Sequence, residues 1–333
     1  MPGRHELAGE LGINHKTVET ALKELERQGL LEAGGSGRRR RIRPLAGKTG
    51  LAPLRIAILA CMSGDWSLNY LVDMKHRLIE AGFTAFYTEP CLSDLGMEVP
   101  RIARLVKRTR ADAWIVVGGS REVLEWFATL GLPVFALFGR RKGLRMAGGG
   151  PHKPPAYAEA TRRLLALGHQ RIVLLTHALR RLPGPGSSER AFLAELEAAG
   201  IVPGDYHLPD WSEHADGFHQ RLESLFQLTP PTALILDTVP LFAAAQQFVA
   251  RRGLRVPEDV SLVCTDEPSD LIWQLPPVSH IRWDSRPLVR RVVKWAANVS
   301  RGRQDIRQTL VRSEFVPAGT IGPAPGTGRL QNP

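Results

Sequence analysis

The chain has 333 residues, too many for one ordinary hydrophobic core, so two or more folding units are expected. A hydrophobic fraction of 43% beside 23% charged residues excludes a disordered or fibrous chain. Lysines and arginines number 44 against 33 acidic residues, a formal charge of +11 that favours an acidic polymer as partner.

Glu6 to Leu11 reads as a short helix stopped at Gly12. Asn14 is a good N-cap for a second helix from His15 to about Gln28. Val18, Ala21, Leu22 and Leu25 recur at three- and four-residue spacing, so one face of that helix is buried. His15, Lys16, Glu19, Thr20 and Lys23 face solvent. Two short helices joined by a tight turn fit a helix-turn-helix. A strand at Leu30–Glu32, a tip over 33–37 and a basic return strand over 38–43 then make a β-hairpin wing.

Residues 44–50 are small and aperiodic, and a linker is placed over 44–53. Beyond Pro53, apolar strands alternate with amphipathic helices. Strands are expected at 55–61, 83–88, 113–117 and 133–137, with helices at 68–82, 99–109 and 121–130. A second set follows, with strands at 171–175, 205–208, 232–236 and 260–264. Its helices are expected at 156–167, 188–199, 217–225 and 241–253. Two such sets predict an α/β architecture of two doubly wound lobes facing across a cleft, with ligands at the carboxyl ends of the strands.

Three widely spaced cysteines, Cys61, Cys91 and Cys264, show no metal spacing and read as reduced core or pocket-edge thiols. There is no G-x-S-x-G elbow, no P-loop and no spaced histidine–carboxylate cluster, so enzyme chemistry is a weak reading. Neither a cofactor nor a metal is expected. No run approaches the ~18 apolar residues of a membrane span, and the first residues lack a signal peptide's apolar core. The expected location is the cytoplasm.

The N-terminal motifs resemble the GntR family of winged-helix regulators. Residues 2–8 (PGRHELA) look like that family's LPSERELA, and residues 12–18 (GINHKTV) like its GVSRTTV. Ala21-Leu22 with residues 25–31 (LERQGLL) matches its AL..LE..GLL signature. This family has one more helix before LPSERELA, absent here, and arginines where His5, His15 and Glu19 stand. The resemblance implies a DNA-binding head over 1–43 that contacts double-stranded operator DNA. Candidate contacts are Arg4, His5, Asn14, His15, Lys16, Thr17 and Thr20, with Arg38, Arg39, Arg40 and Arg41 on the wing. A solvated helix face and a solvated basic strand are the competing readings.

Residues 165–175 (LALGHQRIVLL) resemble LL.LGH.RIALL of the LacI/GalR regulators, and residues 253–263 (GLRVPEDVSLV) are nearly verbatim a second stretch of that family. Residues 231–233 and 276–281 match its PTA and PPLTTV. This resemblance implies a type I periplasmic-binding-protein-like fold over 54–322. Lobe 1 would take about 54–150 and 285–315, lobe 2 about 151–281 and 316–322, and 323–333 would be a tail. It also implies a homodimer and a small-molecule effector, a sugar in that family, held between the lobes. By position, the effector residues are Arg140, Asp266 and Trp283, with Ser188 and Asp237 at two further pocket positions. A carboxylate, a guanidinium and an indole suit a sugar's hydroxyls and ring face. Ser188 replaces an arginine, however, and 148–152 (GGGPH) replaces a VDN stretch. Two alternatives stay open: a regulator whose large domain is only a dimerisation scaffold, and a solute-binding receptor.

Overall fold

A computed structural model describes residues 4–27, 31–32, 41–42, 53–266 and 272–326. In the head, α1 (Arg4–Leu11) and α2 (His15–Arg27) precede a two-stranded antiparallel ladder, β1 (Leu31–Glu32) with β2 (Arg41–Ile42). Asn14 accepts the Lys16 N–H on its Oδ1 at 2.9 Å, which caps α2. Val18, Leu22 and Leu31 are buried, and Leu7, Ala8 and Leu25 pack against them. The core of the head is therefore six apolar side chains among the described residues.

From β3 (Arg55–Leu59) the chain alternates through α3 (Asn69–Glu80), β4 (Thr84–Tyr87), α4 (Val99–Arg108), β5 (Ala113–Val117), α5 (Arg121–Thr129) and β6 (Val134–Leu137). Next come β7 (Ala147–His152), α6 (Pro154–Ala166), β8 (Ile172–Leu175), the short α7 (Ala178–Arg181), α8 (Ser187–Ala198) and α9 (Ala215–Leu228). The last elements are β9 (Ala233–Leu236), α10 (Val239–Arg251), β10 (Ser261–Cys264), β11 (Ser279–Trp283), α11 (Arg286–Ser300) and β12 (Gln308–Val316).

Ten strands form one continuous ladder in the order β4-β3-β5-β6-β7-β12-β11-β10-β9-β8. Lobe 1 is the part from β4 to β7, and lobe 2 the part from β11 to β8. Alternation along each strand sends successive side chains to opposite faces, and both faces are covered. In lobe 1, Ile56, Ile58, Ile115 and Phe135 pack with α3 and α11, while Ala57, Leu59, Trp114 and Val116 pack with α4 and α5. In lobe 2, Val173, Leu175, Leu234 and Leu236 face α9 and α10, while Ile172, Leu174, Ala233 and Ile235 face α6 and α8. The alternation read from the sequence thus forms four apolar layers on two half-sheets.

The two halves join along β12. Its first half, Gln308 to Arg312, runs parallel to β7, and its second half, Ser313 to Val316, runs antiparallel to β11. The chain also passes between the halves after β7 and after β11. One expected strand does not form: residues 205–208 turn instead. Pro203-Gly204 opens that turn, with His207 N–H donating to Gly204 O at 2.9 Å, and the segment gives the sheet edge only the bond from Leu174 N–H to His207 O. Gly148, Gly149 and Gly150 lie in β7, paired with β6 and β12, and glycine is required there because a Cβ on Gly149 would collide with Leu288 Cδ1 and one on Gly148 would stand 2.7 Å from Arg141 Cδ.

Candidate functional site

Every parallel strand of lobe 1 points its carboxyl end toward lobe 2, and the loops that follow carry polar side chains. After β6 the backbone enters the left-handed region at Phe138 (φ 62°) and Gly139 (φ 71°). A Cβ on Gly139 would meet Gly119 O at 2.5 Å, so glycine is required there. This turn aims Arg140 at lobe 2, where it donates from Nε to Leu179 O at 3.0 Å and from Nη2 to Arg180 O at 2.8 Å and Gly184 O at 2.7 Å. Arg140 thus satisfies carbonyls at and beyond the end of α7. Burial pulls its guanidinium below the ordinary value, partly offset by Glu189.

On lobe 2, α7 swings Arg180 into the cleft. Its Nε lies 2.9 Å from Asp237 Oδ1, and Nη1 lies 3.6 Å from Glu189 Oε1. Both carboxylates are only 2% exposed. Burial alone would lower the Arg180 pKa, but Asp237, Tyr157 and Glu189 outweigh it and hold the guanidinium charged. Burial pushes Asp237 up, yet Arg180, His177 and Lys153 prevail and keep it below the usual carboxylate value. The Thr176 hydroxyl also donates to Asp237 Oδ2 at 3.0 Å. For Glu189 burial wins, and its carboxyl is raised. The fully buried Tyr157 phenol, which Arg180, Asp237 and Glu189 all influence, is pushed well above its ordinary value by burial.

A second pair lies beside this one. Lys153, 6% exposed at the start of α6, donates to Thr265 O at 2.8 Å and to Asp266 Oδ1 at 2.5 Å. The Thr265 hydroxyl in turn donates to Asp237 O at 2.7 Å, which links the two clusters. A third pair, His177 Nδ1 with Glu213 Oε2 at 3.4 Å, closes the rim. Burial lowers the His177 pKa, but the Glu213 carboxylate outweighs it, and the net shift is upward.

Trp283, at the end of β11, is half-buried in a triangle of rings with two lobe 1 aromatics. Its centroid is 5.7 Å from Tyr70 and 5.9 Å from Phe138, and those two are 5.5 Å apart. Burial first, then Asp65 and Asp266, push the Tyr70 phenol up, so both lobes contribute charge around this ring.

The five side chains singled out from the sequence have different situations. Asp237 and Asp266 lie in adjoining ion pairs, Arg140 is spent on main-chain carbonyls, and Trp283 packs on lobe 1 aromatics. Ser188 is buried in the first turn of α8, beside Glu189. Arg180 brings a guanidinium from the preceding helix. Sequence reading missed Arg180, Lys153, Glu189 and Tyr157. The signal that could have found them was position: His177 and Arg180 follow β8 and Lys153 follows β7, as Asp237 and Asp266 follow β9 and β10. Burial, then Asp65, raises the Cys61 thiol to about 12, and burial raises Cys264 to about 12, which disfavours the thiolate of each near neutral pH. No cluster of three or more metal-ligating side chains occurs among the described residues.

Of the head candidates, His15, Lys16, Thr17 and Thr20 are exposed on α2, and Thr20 donates to Lys16 O at 3.0 Å. Asn14 is exposed and committed to its cap. Arg4, His5 and Arg41 are described in backbone only, and Arg38, Arg39 and Arg40 lie outside the described residues.

Residues 161–320 match the profile of the periplasmic binding protein-like domain. The large domain has that fold. A LacI family regulator from Enterococcus faecium with bound ribose superposes on the chain with a TM-score of 0.65 at 17% identity, covering 81% of this chain and 99% of that one. The lac repressor dimer bound to operator and an anti-inducer gives 0.64 at 21% identity, covering 84% and 96%. In sequence, the chain is 25% identical to the HTH-type transcriptional regulator AglR of Rhizobium meliloti (strain 1021), over 98% of this chain and 96% of that protein. It is 32% identical to the lactose operon repressor of Escherichia coli (strain K12) over 42% of this chain and 38% of that repressor. The two solved structures are of a LacI family regulator and the lac repressor, and the GntR-type assignment of the head has no counterpart among these relatives. No described helix of the periplasmic-binding-protein-like domain, or of the head, is long and apolar enough to cross a membrane.

Proposed function

We propose that the chain is a transcriptional regulator, a repressor acting as a homodimer, whose head binds operator DNA under control of a small effector held between the lobes. The observation that carries this is the relation to AglR along nearly the whole chain, head included. The head is read as a helix-turn-helix followed by a β-hairpin, supported by α1, α2 and the antiparallel β1–β2 ladder directly after α2. His15, Lys16, Thr17 and Thr20 would face DNA, with the basic stretch 38–41 on the phosphates.

The cleft suits a neutral polyhydroxyl ligand such as a sugar. Arg180 with Asp237 and Lys153 with Asp266 are already matched, so a ligand with a strong net charge would leave one partner uncompensated. Hydroxyls can accept from Arg180 or Lys153 and donate to Asp237 or Asp266 without changing the charge balance. The test is binding of the purified chain to duplex DNA from upstream of its own gene, with and without a panel of monosaccharides and disaccharides. A sugar that shifts the affinity, and no longer does so in Asp237→Asn, supports the reading. DNA binding indifferent to every sugar would refute the sensing half.

The scaffold reading has its own support. Arg140 and Trp283 already join the lobes with protein–protein contacts. A thermal shift that no small molecule moves would favour it.

A further inference from the structure

Because β3, β5, β6, β7 and the first half of β12 are parallel, their starts lie together at the end of lobe 1 remote from the cleft. Helix α11 runs back against them and ends there. Arg291, Lys294 and Asn298 from α11, with Arg303, Asp305 and Arg307 from the segment before β12, line a recess of about 240 Å³. Asp305 is fully engaged: Arg291 donates to it at 2.6 and 3.1 Å, Asn298 Nδ2 at 2.8 Å and Arg307 N–H at 3.2 Å. Arg291 is 8% exposed, and its Nε–H has no acceptor among the described residues. Lys294, Arg303 and Arg307 are exposed, and none has a carboxylate partner among the described residues. Four cationic side chains therefore meet one carboxylate that is already spent.

The same end carries Arg55, whose Nε donates to Arg110 O at 3.0 Å, and Lys107 and Arg108 in the last turn of α4. Cations at a helix C-terminus offset its dipole. That accounts for Lys107 and Arg108. It does not account for Lys294 inside α11, nor for Arg303 and Arg307 on an irregular segment turned into the same recess.

This end is also where the head is tethered. Residues 43–52 connect Ile42 to Pro53, and a chain of that length spans at most about 40 Å. We propose that the recess and its basic rim form a second DNA contact, in which Lys294, Arg303 and Arg307 bind backbone phosphates flanking the site read by the head. The proposal rests on the reading of the chain as a DNA-binding regulator. Forked guanidiniums on phosphate are sequence-independent and sensitive to salt.

The experiment measures the affinity of the full chain for mixed-sequence duplex DNA between 50 and 300 mM NaCl, a range of about sixfold. The parent is compared with the triple variant Lys294→Ala, Arg303→Ala, Arg307→Ala, and with a charge-matched control, Arg163→Ala, Arg221→Ala, Arg251→Ala. Every phosphate that the protein ceases to neutralise lowers the log–log salt slope by about 0.9. The expected result is a slope lower by about 2–3 in the first variant only, with affinity down at least tenfold at the lowest salt. A first variant with the parental slope overturns the proposal and leaves DNA binding by the head intact. A parent that binds no DNA at all refutes the regulator reading, and the proposal with it. A parental slope combined with stabilisation of the parent, but not the variant, by millimolar inorganic phosphate makes the recess a small-anion site and overturns the DNA assignment.

Discussion

Arg140 donates to the main-chain carbonyl of Arg180 at 2.8 Å, while the guanidinium of Arg180 turns away onto Asp237 at 2.9 Å. One arginine therefore holds the backbone from which the other works, and the first belongs to lobe 1 while the second belongs to lobe 2. Replacing Arg140 with alanine removes three donated bonds between the lobes, each worth about 1 kcal/mol net. Small-angle scattering of Arg140→Ala should show a larger radius of gyration in the absence of any ligand. An unchanged scattering curve would mean that other contacts hold the lobes together.

Arg180→Ala leaves two buried carboxylates without their cation. A loss of about 3–5 kcal/mol is expected, because breaking a buried pair strands the remaining charge. Chemical denaturation measures it. Arg180→Lys should recover only part, since an ammonium cannot fork between Asp237 and Glu189.

Glu189 gives the opposite sign. Burial raises its carboxyl above the ordinary 4.5, so its ionised form is favoured less in the folded chain than in the unfolded one. Its contribution is full below pH 4.5 and is lost as the pH rises through the folded value. Glu189→Gln should therefore be more stable than the parent at about pH 7, with the difference shrinking toward about pH 4. Asp237 is depressed below 3.8, so the stability it confers is present above that value and disappears only in stronger acid.

The four apolar layers were legible in the sequence because strands buried on both faces must be apolar at every position. Thus Ala113–Val117 stands within its predicted bounds, and the other strands of the two sets differ by a residue or two, with 205–208 the exception. By contrast, β12 was not legible. Its outward positions are exposed, and its change from parallel to antiparallel pairing is set by β7 and β11, which are distant in sequence. Arg180 was equally hidden. It sits in a four-residue helix within an Arg-, Pro- and Gly-rich stretch that has no periodicity, and Asp237 lies 57 positions on. Asp266 was found by position, but its partner Lys153 comes from 113 residues earlier. Local pattern carries strands and helices well, whereas ion pairs between loops depend on the tertiary arrangement.

His177 should make stability depend on pH near neutrality. Its pKa is raised above 6.5 by Glu213, so the stabilisation is complete below 6.5 and declines as the pH climbs through the folded value. Thermal unfolding of His177→Ala should show a flatter profile than the parent between about pH 6 and 8. Equal slopes would remove the pair from this account.

Gly149 tests the packing under β7. Gly149→Ala drives a methyl into Leu288, and overpacking of this kind costs about 1–3 kcal/mol. The double variant with Leu288→Ala should regain part of the loss, measured as a non-additive change in unfolding midpoint.

Strand β12 belongs to both half-sheets, with Arg312 paired to His152 and Ser313 to Trp283. A strand shared in this way behaves as a torsion bar. Its backbone hydrogen bonds resist sliding and splaying, and the change of pairing partner between residues 312 and 313 is the point about which the two half-sheets would twist. Relative movement of the lobes is thereby reduced to a twist about one short segment, together with the two linked passages after β7 and β11. A displacement of a few degrees at that segment is magnified with distance from it, and the greatest travel falls at the remote end of lobe 1, where the chain departs for the head.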